Sequence, residues 1–182
     1  GSGSIIQGGH EEQEIRKMGG LRGLMPRTFA TYAVGMMALS GVPLFFAGAW
    51  TKEEILHATS LWPASRVPHF LMLVGVVLTA LYMTRQMIYV FFGARREAAA
   101  HAHESPAVMT LPLVVLATCV IGLSVVLTPA WPWLQSYLLG ERAVGESLIQ
   151  PGLYVALALV TLGIGLGILI YRGADEADPF AR

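Results

Sequence analysis

A lysine and a glutamate at the end of a long uncharged run carry the chemistry that the sequence suggests most directly. Lys52 and Glu53 follow residues 28–51, which contain no acidic or basic side chain. Burial of an ammonium in an apolar medium disfavours its charged form, and a nearby carboxylate favours that form again. A lysine–carboxylate pair whose spacing changes can therefore load and release a proton.

Arg85 is a second cation that lies within an apolar run. An arginine keeps its proton in proteins, so it does not relay one by titration. It is suited to support a carboxylate or a helix end. A position near the end of its span would also let it reach the membrane interface, and the sequence leaves both interpretations open.

The composition indicates a membrane protein. Of the 182 residues, 54% are hydrophobic and 13% are charged, whereas soluble domains carry about 25% charged residues. Twelve basic residues balance twelve acidic ones, which argues against a nucleic-acid-binding surface and against an acidic disordered tail. The single cysteine, Cys119, excludes a disulfide framework and a metal site built from cysteines.

Uncharged stretches predict an all-α, polytopic membrane protein with about four transmembrane spans. A spanning helix needs about 20 mostly apolar residues, and a soluble helix of that length would show a charged stripe every three or four residues. The predicted spans are residues 28–62, 69–92, 107–128 and 151–171. The segments predicted to connect or flank them are residues 1–27, 93–106, 129–150 and 172–182.

The distribution of positive charge predicts the orientation of these spans. Residues 1–27, 93–106 and 172–182 together contain eight Lys and Arg, whereas residues 51–68 and 129–150 contain three. By the positive-inside rule, the first group of segments faces the cytoplasm or an equivalent compartment. Both ends of the chain are then expected on that side.

The predicted inner segment 93–106 contains a small cluster of polar side chains, His101, His103 and Glu104. Two histidines and a carboxylate suggest a metal site, but no third nitrogen or sulfur ligand stands nearby. We interpret the cluster as a solvated loop and predict no metal site.

The first span is interrupted, and its interruption allows two interpretations. Residues 40–43 read Ser-Gly-Val-Pro, and a proline in a helix interior removes one hydrogen bond. In one interpretation the helix ends near Trp50 and Lys52 snorkels from a polar loop. In the other, the helix breaks near Pro43 and continues through Lys52 to about Leu61, which places the lysine inside the bilayer. Gly/Pro-interrupted spans mark ion sites in transporters, yet composition alone leaves both interpretations open.

Several segments resemble subunit L (chain 5), the distal antiporter-like subunit of NADH:quinone oxidoreductase, or respiratory complex I. The charged run EQEIRKMGGL is similar to the family's EQDIRKMGGL, and GAWTKEEIL is similar to its GFFSKDEIL. The segments ALSGVP, LTALYMTR and HAHESP followed by MTLPL also match the family in order and spacing. The matching residues are 3–6, 12–21, 38–43, 48–56, 78–85, 101–106 and 109–113.

The resemblance implies that the first span is discontinuous, with Lys52 at the break near the middle of the membrane and Glu53 at the family's aspartate. It implies a proton-translocating subunit of an enzyme complex, coupled to quinone reduction elsewhere and lodged in a bacterial inner membrane. The expected partners are other membrane subunits and the lipid bilayer, and no nucleic acid. No cofactor is expected in this chain, since NAD, FMN, iron–sulfur clusters and quinone would belong to other subunits.

Departures from the family and rival functions remain. Gln7 replaces the family's usual histidine, Trp50 and Thr51 replace Phe-Ser, and Glu53 replaces aspartate. The chain is expected to be the C-terminal part of a longer subunit that begins inside a truncated helix. The alternatives are a subunit of a multisubunit sodium/proton antiporter or membrane-bound hydrogenase, and a truncated, non-transporting membrane scaffold.

Overall fold

Helices account for all regular structure in the part of the chain that the computed structural model describes, which confirms the all-α prediction. This part comprises residues 1–9, 12–42, 46–95, 102–127, 132–140 and 151–173. The helices are α1 Ser2–Gly8, α2 Pro26–Ser40, α3 Ala47–Ser60, α4 Val67–Met87, α5 Ala107–Val126, α6 Trp133–Leu139 and α7 Pro151–Tyr171. A π-helical turn, Ile88–Phe92, extends α4, and two short 3-10 turns, Ile15–Lys17 and Leu21–Gly23, follow α1.

Within the described ranges, three helical stretches are long and apolar enough to cross a membrane: Val67–Phe92, Ala107–Val126 and Gly152–Tyr171. The protein is therefore of the polytopic membrane class. The region of the first predicted span contains two helices, α2 with 15 residues and α3 with 14. Each is shorter than the roughly 20 residues that a spanning helix needs, so the two would have to cross the bilayer together.

Helix α2 ends in a glycine turn. α2 begins with Pro26, whose fixed φ and missing N–H suit the first helical position. At its other end, Gly41 has φ +76°, a left-handed conformation that glycine adopts without strain. The Gly41 and Val42 N–H groups donate to the Ala38 and Met37 carbonyls at 3.3 and 3.0 Å, which is the Schellman arrangement. Pro43, predicted to cause the break, lies outside the described residues.

Helices α4 and α7 pack against each other more extensively than any other two described helices. Gly163 and Gly167 are spaced four apart on α7, and a Cβ added to Gly163 would lie 2.5 Å from the Val77 carbonyl oxygen. Small residues at this spacing let two membrane helices approach closely. Buried Val76, Ala80 and Val160 fill the contact, and Val42 packs against them, so the break in the first span lies beside the α4–α7 pair.

A second core gathers the charged loops at one end of the helices. Its buried members are Ile5, Met18, Leu21, Met25, Met87, Val90 and Phe91. The loop after α1 contacts the loop after α4, since a Cβ added to Gly19 would lie 2.0 Å from the Ala94 carbonyl oxygen. Two of the segments that the sequence predicts on one side of the membrane thus touch each other.

The predicted outer segment 129–150 is only partly described, and it contains a helix that the sequence did not predict. The seven-residue α6 lies within it, as a short helix inside the segment predicted to connect two spans. Residues 128–131 and 141–150, and the predicted tail from residue 174, lie outside the described part.

Candidate functional site at the helix break

The Lys52 side chain closes the C-terminal end of α2. Its Nζ donates a hydrogen bond to the Leu39 carbonyl oxygen at 2.6 Å, and the residue is half-buried. The last four carbonyls of a helix have no partner inside it. Here the glycine turn occupies those of Met37 and Ala38, and Lys52 occupies that of Leu39. A cation at a helix C-terminus also interacts favourably with the negative end of the helix dipole.

Two glycines shape the slot in which Lys52 lies. A Cβ on Gly41 would stand 3.0 Å from Lys52 Cδ and 3.3 Å from Nζ. A Cβ on Gly48 would stand 2.1 Å from the Ala38 carbonyl oxygen, so the first turn of α3 lies directly against the last turn of α2. Gly48 and Lys52 are four residues apart and share one face of α3. That face is the one turned to α2.

Glu53 occupies a different environment from its neighbour. Its Oε1 lies 2.7 Å from where a Cβ on Gly152 would be, and Cγ and Cδ lie at 3.1 and 3.3 Å. Gly152 is in the first turn of α7, where free N–H groups favour a negative charge. In the described residues Lys52 forms no ion pair, with Glu53 or with another carboxylate. The two predicted relay residues therefore contact the ends of two different helices.

Arg85, in the last turn of α4, lies over two neighbouring aromatic rings. Its guanidinium carbon is 5.3 Å from the ring centroid of Tyr89 and 5.5 Å from that of Tyr171. The two rings meet edge to face at 5.8 Å. Arg85 thus links the end of α4 to the end of α7.

Sequence reasoning missed the side chain at the opposite end of α2. Glu104 Oε2 accepts from the Arg27 N–H at 2.8 Å, and Oε1 accepts from the Thr28 hydroxyl at 2.6 Å and the Thr28 N–H at 3.4 Å. The carboxylate therefore caps the N-terminus of α2. Glu104 lies 76 positions from Thr28 along the chain, so no local sequence pattern indicated this contact. The sequence singled out Glu104 only as part of the HAHESP segment.

The Glu104 cap continues into a buried cluster of hydroxyls. Ser4 Oγ lies 3.0 Å from Thr28 Oγ1 and donates to Ser105 Oγ at 2.6 Å, while Ser105 Oγ donates to the Ser4 carbonyl at 2.9 Å. All three residues are at most 5% exposed. The cluster ties α1 and the start of α2 to the segment before α5. His101, part of the polar cluster discussed above, lies outside the described residues.

No group of three or more His, Cys, Asp or Glu residues in the described part is arranged to hold a metal ion. The chemistry that this arrangement offers is that of two charged side chains, Lys52 and Glu53, at helix ends inside or beside a membrane.

Comparison with known proteins identifies the family to which this sequence is similar. Residues 1–82 match the family described as NADH:quinone oxidoreductase/Mrp antiporter, TM. NADH-quinone oxidoreductase subunit L of Mycobacterium tuberculosis is 38% identical over 92% of this chain and 27% of the relative. NADH-ubiquinone oxidoreductase chain 5 of Dictyostelium discoideum is 37% identical over 71% of this chain and 21% of the relative. NAD(P)H-quinone oxidoreductase chain 5 of a Picosynechococcus species is 32% identical over 98% of this chain and 32% of the relative.

The chain therefore belongs to the family of antiporter-like membrane subunits of NADH:quinone oxidoreductase. Within that family its similarity is to subunit L, also named chain 5, so the resemblance seen in the sequence is confirmed. The chain spans roughly a quarter of the length of these relatives.

Proposed function

We propose that this chain forms part of a proton path in the membrane domain of an NADH:quinone oxidoreductase, with Lys52 as the residue that takes up and releases the proton. The observation that carries the proposal is the contact of Lys52 Nζ with the Leu39 carbonyl at a break between two short helices. Broken membrane helices supply ion sites at their half-helix ends, and a lysine is a cation that can titrate.

The contact couples the charge of Lys52 to the geometry of the break. A protonated lysine satisfies the end of α2 and is stabilised by the helix dipole, an effect of about 0.3–1 kcal/mol at exposed sites and about 2 kcal/mol where partly buried. Loss of the proton removes most of that attraction, so Lys52 is then free to leave the Leu39 carbonyl. A movement of α3 against α2 would in turn favour proton release.

Glu53 is proposed as the partner station on the same helix. In this structure its carboxylate lies at the start of α7, away from the Lys52 ammonium. Since the two residues are adjacent in α3, a rotation or shift of α3 changes the environments of both together. This arrangement lets one helix movement alter two charges, which is what a relay driven by conformational change requires.

A cavity of about 330 Å³ between α2, α4 and α5 offers space for water near the site. It is lined by the polar side chains of Thr31, Tyr32 and Gln86 among apolar ones, and it extends to Leu39, whose carbonyl binds Lys52. Such a cavity is suited to a hydrated route that ends at the lysine.

The rest of the proposal concerns setting and partners. The charged loops that gather at the Glu104 end of α2 are proposed to face the cytoplasm by the positive-inside rule, in a bacterial inner membrane. The partners are other membrane subunits of the complex and lipid. Redox chemistry with NAD, FMN, iron–sulfur clusters and quinone is proposed to occur in other subunits, with no redox centre in this chain. Arg85 is proposed as electrostatic support at the inner end of α4.

The test is Lys52→Ala in the complete subunit, assembled in its complex, with Lys17→Ala as the matched control on an exposed loop. We expect electron transfer from NADH to quinone to continue while the number of protons ejected per electron falls in Lys52→Ala. Lys17→Ala should keep the ratio of the parent. An unchanged ratio in Lys52→Ala would rule out the proposed role.

The matched family's description also names the Mrp antiporter, which favours one alternative, a subunit of a sodium/proton antiporter. In that case Lys52 keeps its role but the driving force differs. Vesicles that contain the assembled complex would then exchange sodium for protons without NADH, whereas the redox-driven assignment requires NADH for proton ejection.

A further inference from the structure

We propose that Glu104 is a positioning residue for Lys52 and that it acts through α2. It anchors the N-terminal end of the helix whose Leu39 carbonyl binds the lysine. This proposal rests on the proposed function of Lys52 for its biological role. The contacts of Glu104 and Lys52 with α2 can nevertheless be tested without measuring proton transport.

The first step is that α2 lacks a cap of its own. The N-cap residue is Met25, and no side chain at that position accepts a hydrogen bond. The first N–H groups of a helix need an acceptor, and a cap at this position is worth about 1 kcal/mol. Glu104 supplies it from outside, with contacts of its two carboxylate oxygens to the N–H groups of Arg27 and Thr28 and to the Thr28 hydroxyl.

The second step is that the anchor is itself held in place. Thr28 is fully buried, and the Ser4 and Ser105 hydroxyls continue the hydrogen-bonded cluster behind it. The residue next to Glu104 is also fixed, since the His103 N–H donates to the Gly8 carbonyl at 3.4 Å. The carboxylate is therefore mounted on packed segments and does not move independently of them.

The third step is transmission along the helix. α2 has 15 residues, which makes it about 22 Å long, and proline occurs in it only at the first position. A shift of its anchored end therefore moves the Leu39 carbonyl at the other end. A hydrogen bond tolerates donor–acceptor distances of about 2.7–3.2 Å, so a displacement of about 1 Å is enough to lose the contact with Lys52.

The charges at the two ends of α2 act in the same direction. Glu104 places a negative charge at the positive end of the helix dipole, and Lys52 places a positive charge at the negative end. Both charges come from other segments, the loop before α5 and the helix α3. α2 thus lies between two opposite charges that hold it along its axis.

The test uses the reaction of the lysines with an amine-reactive reagent in the full 182-residue chain in lipid nanodiscs. The chain contains two lysines, Lys17 and Lys52, so the exposed Lys17 serves as an internal reference in each sample. Peptide mass spectrometry gives the ratio of labelling at Lys52 to that at Lys17. Loss of the α2 contact leaves Lys52 less stabilised as an ammonium and more accessible, and both effects speed its labelling.

The variants are Glu104→Gln, which removes the charge, and Thr28→Val, which removes the hydroxyl. We expect each to raise the labelling ratio about two- to fivefold, the change that corresponds to loss of one helix-end charge interaction. Thr28→Ser keeps the hydroxyl and should restore the parent ratio. Val90→Ala, which weakens the core at the same end, should leave it unchanged.

An unchanged ratio in both Glu104→Gln and Thr28→Val would overturn the proposal, and so would an equal rise in Val90→Ala. If Glu104→Gln does not fold, as judged by its helix content, the pair Thr28→Val and Thr28→Ser decides alone. Failure of the proposed function is distinguishable, because it shows as normal proton ejection in Lys52→Ala whatever the labelling ratios are.

Discussion

Lys52 and Arg85, the two cations that the sequence singles out, are stabilised in different ways. Lys52 donates to a backbone carbonyl at the end of a broken helix. Arg85 stays in an unbroken helix and lies over the neighbouring rings of Tyr89 and Tyr171. One contact is a single directional hydrogen bond, and the other is spread over two aromatic faces.

The difference indicates which of the two is suited to change its charge. A guanidinium stays protonated and stacks on aromatic rings, whereas an ammonium on a flexible chain titrates when its surroundings change. The Leu39 carbonyl lies where α2 and α3 meet, so a movement of α3 against α2 would change the contact of Lys52. This difference supports the proposal that Lys52 carries the proton and that Arg85 only stabilises the ends of α4 and α7.

Exchange of the two cation types should give the largest effect. Lys52→Arg keeps a positive charge at the end of α2 but cannot release a proton, so we expect proton ejection through this path to fall at least about a hundredfold, as for loss of a proton-transferring side chain. Arg85→Lys should retain most of it. The measurement is the initial rate of proton ejection by the assembled complex. Comparable activity in Lys52→Arg and the parent would contradict the claim that Lys52 must release a proton.

The glycine turn that creates the Lys52 site should be sensitive to a single methyl group. Gly41→Ala places a side chain in a left-handed conformation at a cost of about 1–2 kcal/mol, and its Cβ would press on Lys52 Cδ at 3.0 Å. We expect a lower free energy of unfolding in detergent. The control is Gly122→Ala in α5, which has open space around it and should be stabilised by about 0.5–1 kcal/mol. A stable Gly41→Ala would show that the break does not need this turn.

The stacking of Arg85 should contribute measurably to stability. Arg85→Met keeps the length and the apolar stem but removes the cation, so we expect a loss of about 1 kcal/mol from its contacts with the two rings. In a chain that already carries Tyr171→Leu, Arg85→Met should cost less stability, because one of the two ring contacts is already absent. A double-mutant cycle on unfolding measures the coupling, and strictly additive losses would contradict the arrangement of the rings around Arg85.

The smallest effect is expected from the loop that lies in water. A side-chain hydrogen bond from Arg16 holds the pKa of Glu14 below its ordinary value of 4.5, and the opposing effect of desolvation is smaller. Because the pKa is lowered on folding, the pair stabilises the folded chain above about pH 4.5, and the contribution is lost as the pH falls further through the lowered pKa. The difference in unfolding midpoint between the parent and Glu14→Gln should therefore be small at pH 7 and vanish in acid. A difference that grows on acidification would contradict this sign.

Much of the fold follows from the spacing of charges. Long apolar runs with at most one charged residue indicate helices that can cross a membrane, and α4, α5 and α7 occupy three of those runs. Residues 129–150 show the limit of such reasoning, since the sequence predicts only a connecting segment there, yet the short helix α6 forms within it. A short helix at an interface needs only local hydrogen bonds and leaves little periodicity in the sequence.

The candidate site is less visible in the sequence than the fold. Composition left two positions open for Lys52, and the resemblance to subunit L favoured the one at a break. The partner of Lys52 is a backbone carbonyl, which no side-chain pattern reveals, and the Glu104 cap joins residues that are 76 positions apart. Contacts of these kinds depend on how helices pack in three dimensions, which the order of residues along one helix does not specify.

The most direct test of the account is the contact between Lys52 and the end of α2, measured by solid-state NMR on the chain in lipid. Labelling lysine Nζ with nitrogen-15 and leucine carbonyls with carbon-13 should reveal a dipolar coupling to the Lys52 ammonium over about 4 Å or less. Leu39→Met, in which residue 39 is unlabelled, should abolish this coupling. Absence of the coupling in the parent, or its persistence in Leu39→Met, would contradict the claim that Lys52 closes the broken helix.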